Sequence, residues 1–142
     1  MDLAITKRLW ADMDLIKDPF SKELIDLWQS REMSGLIFSL HEDVRTMTPT
    51  LGYILLELKG SKATIRGFWV DKRYRGKGHG SELLKAVKGY CLVQDCSELH
   101  VNITESEENI KLYEKMGFRM ISRRTDYPDQ IHAIFYNRKA EA

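Results

Sequence analysis

Apolar residues are grouped in six short stretches that predict β-strands, and in the clearest of them they alternate with polar residues. In residues 36–45, Leu36, Phe38 and Leu40 take every second position, as in a strand with one buried face. The other predicted strands are residues 51–59, 63–71, 99–104, 119–125 and 131–138. Short connections join the first three strands, and this favours an antiparallel meander.

Helices are predicted where apolar residues recur every three to four positions. One begins at Asp18-Pro19, an N-cap residue followed by proline, and ends at Ser34-Gly35. A second begins near Gly80 and has one apolar face. Residues 2–14 form either a helix or a strand, because their periodicity favours neither.

A third helix is predicted over residues 106–116. Thr104 and Glu107 have the spacing of a capping box, and Gly117 suits the left-handed residue that ends a helix. The strand–helix–strand order from residue 63 to residue 104 implies a right-handed crossover and a parallel pair. The predicted fold class is therefore α+β, with a mixed, largely antiparallel sheet that has one parallel step and about four flanking helices.

Length and charge limit the possible functions. The chain has 142 residues, with 22 Lys and Arg against 21 Asp and Glu, and this length predicts a single domain over residues 1–142. A formal charge of +1 argues against bulk electrostatic capture of nucleic acid or of an anionic membrane. No apolar stretch approaches the roughly 18 residues of a membrane helix, and no basic segment opens a secretory signal. We therefore expect a cytoplasmic protein.

The two cysteines, Cys91 and Cys96, have no cluster of His or Cys around them. Two thiols alone cannot form a structural zinc site, and Cys91 lies on the apolar face of a predicted helix. We therefore expect inert thiols and no metal site.

Three alternating glycines, Gly76, Gly78 and Gly80, follow a predicted strand and open a helix. This arrangement lets successive backbone N–H groups point one way, and the helix N-terminus adds partial positive charge. Arg75 and Lys77 add two further charges. The segment favours a pyrophosphate site, but a glycine-rich turn without a ligand has the same composition. Its spacing is neither that of a Walker A loop nor that of the G-x-G-x-x-G fingerprint.

Residues 70–84 resemble the acetyl-CoA-binding motif of the GNAT superfamily of N-acetyltransferases. The core of that motif is Arg or Gln, two residues, Gly, one residue, then Gly or Ala, and Arg75, Gly78 and Gly80 match it. A second family signature, a leucine-tyrosine-glutamate-lysine run that ends in glycine-phenylalanine, is matched by residues 112–118. The two signatures lie in the expected order, and the resemblance covers about residues 51–125.

The resemblance implies a GNAT-like fold in which loop amides hold the pyrophosphate of acetyl-CoA. The strand of Phe68 and Val70 would diverge from the strand at residues 99–104, and pantetheine would pair with backbone groups in that gap. The N–H of Phe68 would polarise the thioester carbonyl. The implied cofactor-binding residues are Phe68, Val70, Arg75, Gly76, Lys77, Gly78, His79, Gly80, Ser81 and Asn109.

The second signature implies that Tyr113 is the general acid for the departing CoA thiolate. A phenol with an ordinary pKa near 10 stays protonated at neutral pH. A core tyrosine would have the same helical spacing, so both interpretations stay open. Asn109 either bonds the pantetheine arm or faces solvent, because the family's usual Asn position is occupied by Ser106.

A general base is harder to assign. Many relatives carry a glutamate on the strand before the glycine loop, but residues 63–67 contain no acid. Others carry an acid in a Leu-Glu-Val run on the next strand, and here His100 takes that position. The pKa of histidine suits a base, although a strand histidine without a catalytic role is the other interpretation. The reserve candidates are Glu57, His41 and Glu42.

The prediction is an N-acetyltransferase that moves an acetyl group from acetyl-CoA to a primary amine by direct attack in a ternary complex. The acceptor is a small molecule or a protein amine, and Trp28, Trp69 and Tyr127 either line its cleft or pack in the core. Two alternatives stay open: a non-catalytic CoA-binding sensor or adaptor, and an unrelated domain that binds ATP. Exposed sheet edges would permit a homodimer.

Overall fold

The computed structural model describes residues 4–9, 35–41, 50–126 and 129–137. None of the helices in these ranges is long and apolar enough to cross a membrane. The strands are β1 (Ala4–Leu9), β2 (Gly35–His41), β3 (Thr50–Lys59), β4 (Lys62–Val70), β5 (Glu98–Thr104), β6 (Arg119–Arg123) and β7 (Gln130–Tyr136). The helices are a 3-10 turn (Lys72–Tyr74), α1 (His79–Val93) and α2 (Glu107–Lys115).

The seven described strands form one mixed sheet in the order β1-β2-β3-β4-β5-β7-β6. Within it β4 and β5 run parallel, and every other neighbouring pair is antiparallel. Helix α1 makes the crossover between the two parallel strands. The predicted α+β class with one parallel step is therefore confirmed. Strand β1 lies in the segment for which helix and strand were both open, and the helix predicted over residues 18–34 lies outside the described residues.

Helix α1 covers one face of the sheet. Its buried side chains recur at helical spacing and pack into one core with apolar side chains of the strands. The strand side chains in this core are the apolar residues that alternate with polar ones in the sequence. We call this side the helix face. On the other side of β4, β5 and β7 lie Thr64, His100, Asn102 and His132, and we call it the polar face. The residues of α1 in the core are Leu83, Leu84, Val87 and Cys91.

Helix α2 begins two residues later than a capping box at Thr104 would require. Thr104 ends β5, and Ser106 is the N-cap, since its hydroxyl accepts a hydrogen bond from the N–H of Asn109 at 3.0 Å. The capping-box prediction was therefore wrong in its cap residue. The predicted stop is confirmed, because Gly117 follows the helix with a φ of +93°.

Strand β4 changes its pairing on both edges near its middle. Leu55 of β3 lies opposite Gly67, but Leu56 lies opposite Ile65, so Arg66 is an extra residue that forms a bulge. On the other edge, pairing with β5 ends where Ile65 meets Val101. The parallel strands therefore separate at the centre of the sheet.

Candidate active site

A cleft of about 500 Å³ opens where β4 and β5 separate. Its walls come from the second half of β4, the segment after it, the end of β5, and α2. Six of the predicted cofactor-binding residues line it: Phe68, Val70, Arg75, Gly76, Gly80 and Asn109. The other four are outside its lining: Lys77, Gly78, His79 and Ser81.

The glycine segment lies at one end of the cleft. Gly76 and Gly78 have φ values of +75° and +87°, which glycine adopts at little cost, and Gly78 is the N-cap of α1. A Cβ at either glycine would meet nothing within 4 Å, so the backbone there is open to a ligand. Gly80 lies deeper, where a Cβ would be 3.4 Å from the ring of Phe68. The imidazole Nδ1 of His79 is buried and has no hydrogen-bond partner among the described residues.

Positive charge surrounds the glycine segment. Nε of Arg75 donates to the carbonyl of Val70 at 2.8 Å, which fixes the arginine to the end of β4. The side chain and backbone N–H of Arg73 hold the pKa of Asp71 below its usual value. The one acid of this turn is thus paired, and the charge that remains suits an anionic ligand.

Tyr113 lines the cleft from α2 and is buried. Its ring packs edge-on against Phe118, with centroids 5.2 Å apart, just after the Gly117 turn. Burial raises the pKa of Tyr113 above its ordinary value, so the phenol stays protonated at every physiological pH. It can therefore act in the cleft as a hydrogen-bond donor.

The end of α2 is fixed by α1. The ammonium group of Lys88 donates to the carbonyl of Met116, the C-cap residue, and lies 4.5 Å from the ring centre of Phe135. Burial lowers the pKa of Lys88. This contact satisfies a helix-end carbonyl and holds the turn that follows Tyr113.

Asn109 connects α2 to β5 at the cleft wall. Its Nδ2 donates to the carbonyl of Thr104 at 2.8 Å. This bond and its place in the lining put Asn109 at the cleft wall, and its contact with the pantetheine arm stays a prediction. Thr104 and Asn102 also line the cleft, and sequence reasoning missed both.

His100 lies beside the cleft and not in its lining. Its Nε2 is 2.8 Å from Oε1 of Glu98, and its Nδ1 is 2.8 Å from Nε2 of His132. The planes of the two imidazole rings are 24° apart and their centroids are 5.0 Å apart, as expected for rings joined edge to edge by a hydrogen bond. Burial and the nearby charges of His100 and Arg124 lower the pKa of His132. The candidate base therefore belongs to a three-residue cluster that sequence patterns alone do not predict.

The two described reserve candidates for a base, Glu57 and His41, are not in the cleft lining. Glu57 is only 5% exposed and accepts a hydrogen bond at 3.1 Å from Arg66, which does line the cleft. His41 is buried on β2, where its Nε2 lies 2.8 Å from the hydroxyl of Ser39. Glu42 lies outside the described residues.

One of the three aromatic residues proposed for the acceptor cleft is described. Trp69 packs against the ring of Tyr53 with centroids 5.8 Å apart, outside the cleft lining. This supports the packing role for Trp69. Trp28 and Tyr127 lie outside the described residues.

A sheet split by a cleft that ends at a glycine segment and a helix N-terminus is the fold of N-acetyltransferases. The ribosomal-protein-S18-alanine N-acetyltransferase from Escherichia coli matches with a TM-score of 0.74 and 18% identity, over 96% of this chain and 94% of that one. A GNAT family acetyltransferase from Elizabethkingia anophelis, solved with acetyl-CoA bound, matches with a TM-score of 0.71 and 22% identity, over 94% and 97%. The chain belongs to the acetyltransferase (GNAT) family, whose model matches residues 4–118.

A curated relative matches part of the chain. It is the spermine/spermidine N(1)-acetyltransferase of Bacillus subtilis (strain 168), 32% identical over 63 residues. The match covers 43% of this chain and 41% of the relative, so less than half of either protein is compared.

Proposed function

We propose that the protein transfers the acetyl group of acetyl-CoA to a primary amine. The observation that carries this proposal is the single cleft that joins an open glycine segment at the N-terminus of α1 to the buried phenol of Tyr113. Family membership supports acetyl transfer. The geometry supports a ligand with an anionic end at the glycines and a reactive end deeper between the strands.

The glycine segment would bind the pyrophosphate. Amides of residues 76–81 would donate to it, with Arg75, Lys77 and His79 close by. The positive φ of Gly76 and Gly78 and the open space beside both residues support this role. Phe68, Val70 and Asn109 would hold the pantetheine arm along the cleft.

The chemistry would depend on two hydrogen-bond donors. The N–H of Phe68 would stabilise the oxyanion that forms at the thioester carbonyl, and loss of one such donor elsewhere costs roughly 3–4 kcal/mol. Tyr113 would donate to the sulfur as the C–S bond breaks. Because burial raises the pKa of Tyr113 above that of a thiol, its proton would be replaced from the attacking nitrogen, which gives up a proton as the amide forms.

Direct attack by the amine is supported by the state of the cysteines. Cys91 and Cys96 are both buried, and neither lines the cleft. Burial and the neighbouring Cys96 raise the pKa of Cys91 to about 12, so the reactive thiolate is scarce. An acetylated cysteine is therefore not part of the proposed route.

For the acceptor we propose a small primary amine, with a polyamine such as spermidine as the first to test. The support is the partial match to the Bacillus subtilis enzyme, whose name gives that substrate. The whole activity of that relative is not carried over, since the match covers 41% of it.

A second candidate function is a CoA-binding sensor of the same fold. The observation in its favour is that the cleft lining contains no carboxylate or imidazole among the residues that the structure describes. Such a protein would bind acetyl-CoA without turnover.

Two measurements on the purified protein test these proposals. In thermal denaturation, acetyl-CoA at about 100 times its dissociation constant should add roughly 2.7 kcal/mol to the free energy of unfolding, and ATP should not. A panel of amines led by spermidine should then release CoA thiol with formation of the acetylated amine. Stabilisation without thiol release would favour the sensor, and stabilisation by ATP alone would contradict both proposals.

A further inference from the structure

Glu98, His100 and His132 form a hydrogen-bonded series on the polar face. Both links, Glu98 to His100 and His100 to His132, are 2.8 Å long. Among the residues described, no three acidic, histidine or cysteine side chains converge as metal ligands would. The series is thus a line of proton-exchanging groups.

When both imidazole rings are neutral, the carboxylate of Glu98 determines which of their nitrogens carry a hydrogen. A carboxylate can only accept, so Nε2 of His100 carries a hydrogen and donates to Glu98. Nδ1 of His100 is then an acceptor, and the Nε2–H of His132 donates to it. Nδ1 of His132 is therefore left with a lone pair that can take a proton.

The series lies beside the narrow end of the cleft. His100 immediately precedes Val101, where pairing between β4 and β5 ends. Asn102 is on the same face of β5 and lines the cleft, and His132 lies directly opposite Asn102 on β7. Side chains opposed in this way have Cβ atoms about 4.5–5.5 Å apart. With the pyrophosphate at the glycine segment, the thioester lies toward this narrow end.

We propose that Glu98, His100 and His132 form a proton relay that deprotonates the acceptor amine, an inference that rests on the proposed acetyl transfer. Nδ1 of His132 takes one proton from the ammonium group, and the Nε2 proton of His132 passes to Nδ1 of His100. Glu98 stabilises the resulting imidazolium, which later loses its proton to solvent.

When the relay takes one proton from the ammonium group, every bond and proton of the transfer step is accounted for. The nitrogen lone pair forms the C–N bond to the acetyl carbon, and the C–S bond breaks with its electron pair on sulfur. Tyr113 gives its proton to the sulfur and regains one from the nitrogen. The products are the amide, CoA thiol and the single proton that the relay releases.

The surroundings favour a neutral relay that is ready to accept. Burial, His100 and Arg124 lower the pKa of His132, so its ring is uncharged at neutral pH. The carboxylate of Glu98 lies 2.8 Å from Nε2 of His100, close enough to interact with a positive charge that the relay places on that ring. The charged groups around the relay are Lys62 of β4, 3.9 Å from Glu98, Arg124 with Asp126 after β6, and the pair of Glu57 and Arg66 across β4.

The pH dependence of turnover separates a relay from a packing role. We would measure kcat/KM with acetyl-CoA and spermidine, or the panel amine that the wild type uses fastest, for H132Q, H100Q and E98Q. At about pH 7 the histidine variants should lose roughly 10²- to 10⁴-fold, and E98Q should lose less. Near pH 10 roughly a quarter of an amine with the lysine pKa of about 10.4 is already deprotonated in solution, so the losses should shrink markedly. S122A, which changes the neighbour of His132 on β6, is the matched control.

Three further readouts keep the outcomes distinct. Stabilisation by acetyl-CoA should be unchanged in every variant, which reports folding, and E98D should recover part of the activity of E98Q. Nitrogen NMR of the imidazoles should show His100 protonated at Nε2 and His132 at Nε2. Losses that are equal at all pH values, or the opposite tautomers, would overturn the relay while leaving acetyl transfer intact. A wild type that acetylates no amine would instead refute the proposed function.

Discussion

The two sides of the cleft are built in different ways. The coenzyme side uses backbone groups of one continuous segment, where Gly76 and Gly78 adopt positive φ just before α1. The polar face uses side chains of Glu98, His100 and His132, brought together by the pairing of β5 with β7. A site built from backbone groups can be recognised in consecutive residues of the sequence, because few residue types tolerate its conformation. A site built from side chains on several strands can be recognised only when the pairing of those strands is known.

This difference also determines how each side should respond to mutation. On the coenzyme side, side chains can change but glycines cannot. On the polar face, backbone conformation is ordinary and the identity of single side chains matters. Tyr113 shares features of both sides. Its sequence signature lies within one helix, as for a local site, but its side chain acts inside the cleft.

The largest effect is expected for Tyr113→Phe. Removal of the phenolic hydroxyl should lower kcat by roughly 10²- to 10⁴-fold, because the leaving sulfur loses its proton donor. Stabilisation by acetyl-CoA should persist, since the ring still packs against Phe118. Tyr90→Phe on α1 is the control: it removes a hydroxyl outside the cleft lining and should leave kcat unchanged. Equal kcat for wild type and Tyr113→Phe would remove Tyr113 from the mechanism.

The next effect is on binding, for the double variant Gly76→Val with Gly78→Val. A branched residue at positive φ costs about 1–3 kcal/mol per position, so the free segment should relax to another conformation. Because binding must then restore the strained conformation, the affinity for acetyl-CoA should fall at least about 30-fold. Gly60→Val is matched for strain, because Gly60 has a φ of +59° and open space but lies in the turn between β3 and β4. It should lower stability and leave the affinity for acetyl-CoA unchanged. If both variants bound acetyl-CoA equally well, the glycine segment would not be the pyrophosphate site.

The fold was largely predictable because its signals are short-range. Alternation in β2, helical periodicity in α1 and the Gly117 stop each depend on a few neighbouring residues. The strand–helix–strand order was enough to predict the parallel pair. The cap of α2 was misplaced because Thr104 and Ser106 are both competent caps, and only the pairing of β5 decides which one is free to act.

Of the candidate site, only the coenzyme side was predictable from the sequence. The glycines and Tyr113 belong to local signatures, and Gly76, Gly80 and Tyr113 line the cleft, whereas Gly78 does not. Asn102 and Thr104 could have been found, since with His100 they make every second residue of β5 polar. Arg66 lines the cleft through a bulge, and His132 meets His100 across 32 positions of sequence. No pattern within one segment contains either relationship.

A smaller effect is expected in the pH dependence of stability. The pKa of His132 is lowered in the folded state, so below the ordinary value of about 6.5 the unfolded chain binds the proton more readily. Stability from this group is therefore complete above about pH 6.5 and is lost as pH falls through the lowered pKa. Urea denaturation at several pH values should show that His132→Gln loses less stability on acidification than the wild type. Ser122→Ala should follow the wild type, and identical slopes for His132→Gln and wild type would contradict the assignment.

The smallest effect is expected for the double variant Cys91→Ala with Cys96→Ala, which tests whether the cleft works without a thiol. Burial and the neighbouring Cys96 raise the pKa of Cys91 to about 12, so at about pH 8 the thiol is almost entirely protonated. Both side chains are also buried, which leaves them no access to the thioester. The variant should keep kcat/KM within about twofold once a stability loss of about 1 kcal/mol is allowed for. Initial rates should show a ternary complex, and mass spectrometry of the protein with acetyl-CoA alone should find no acetyl group on Cys91. A tenfold fall in rate together with an acetyl group on either thiol would show that a cysteine side chain, and not the amine, attacks first. Backbone groups and a bound amine would then not be sufficient for the transfer, because a thiol would also be required.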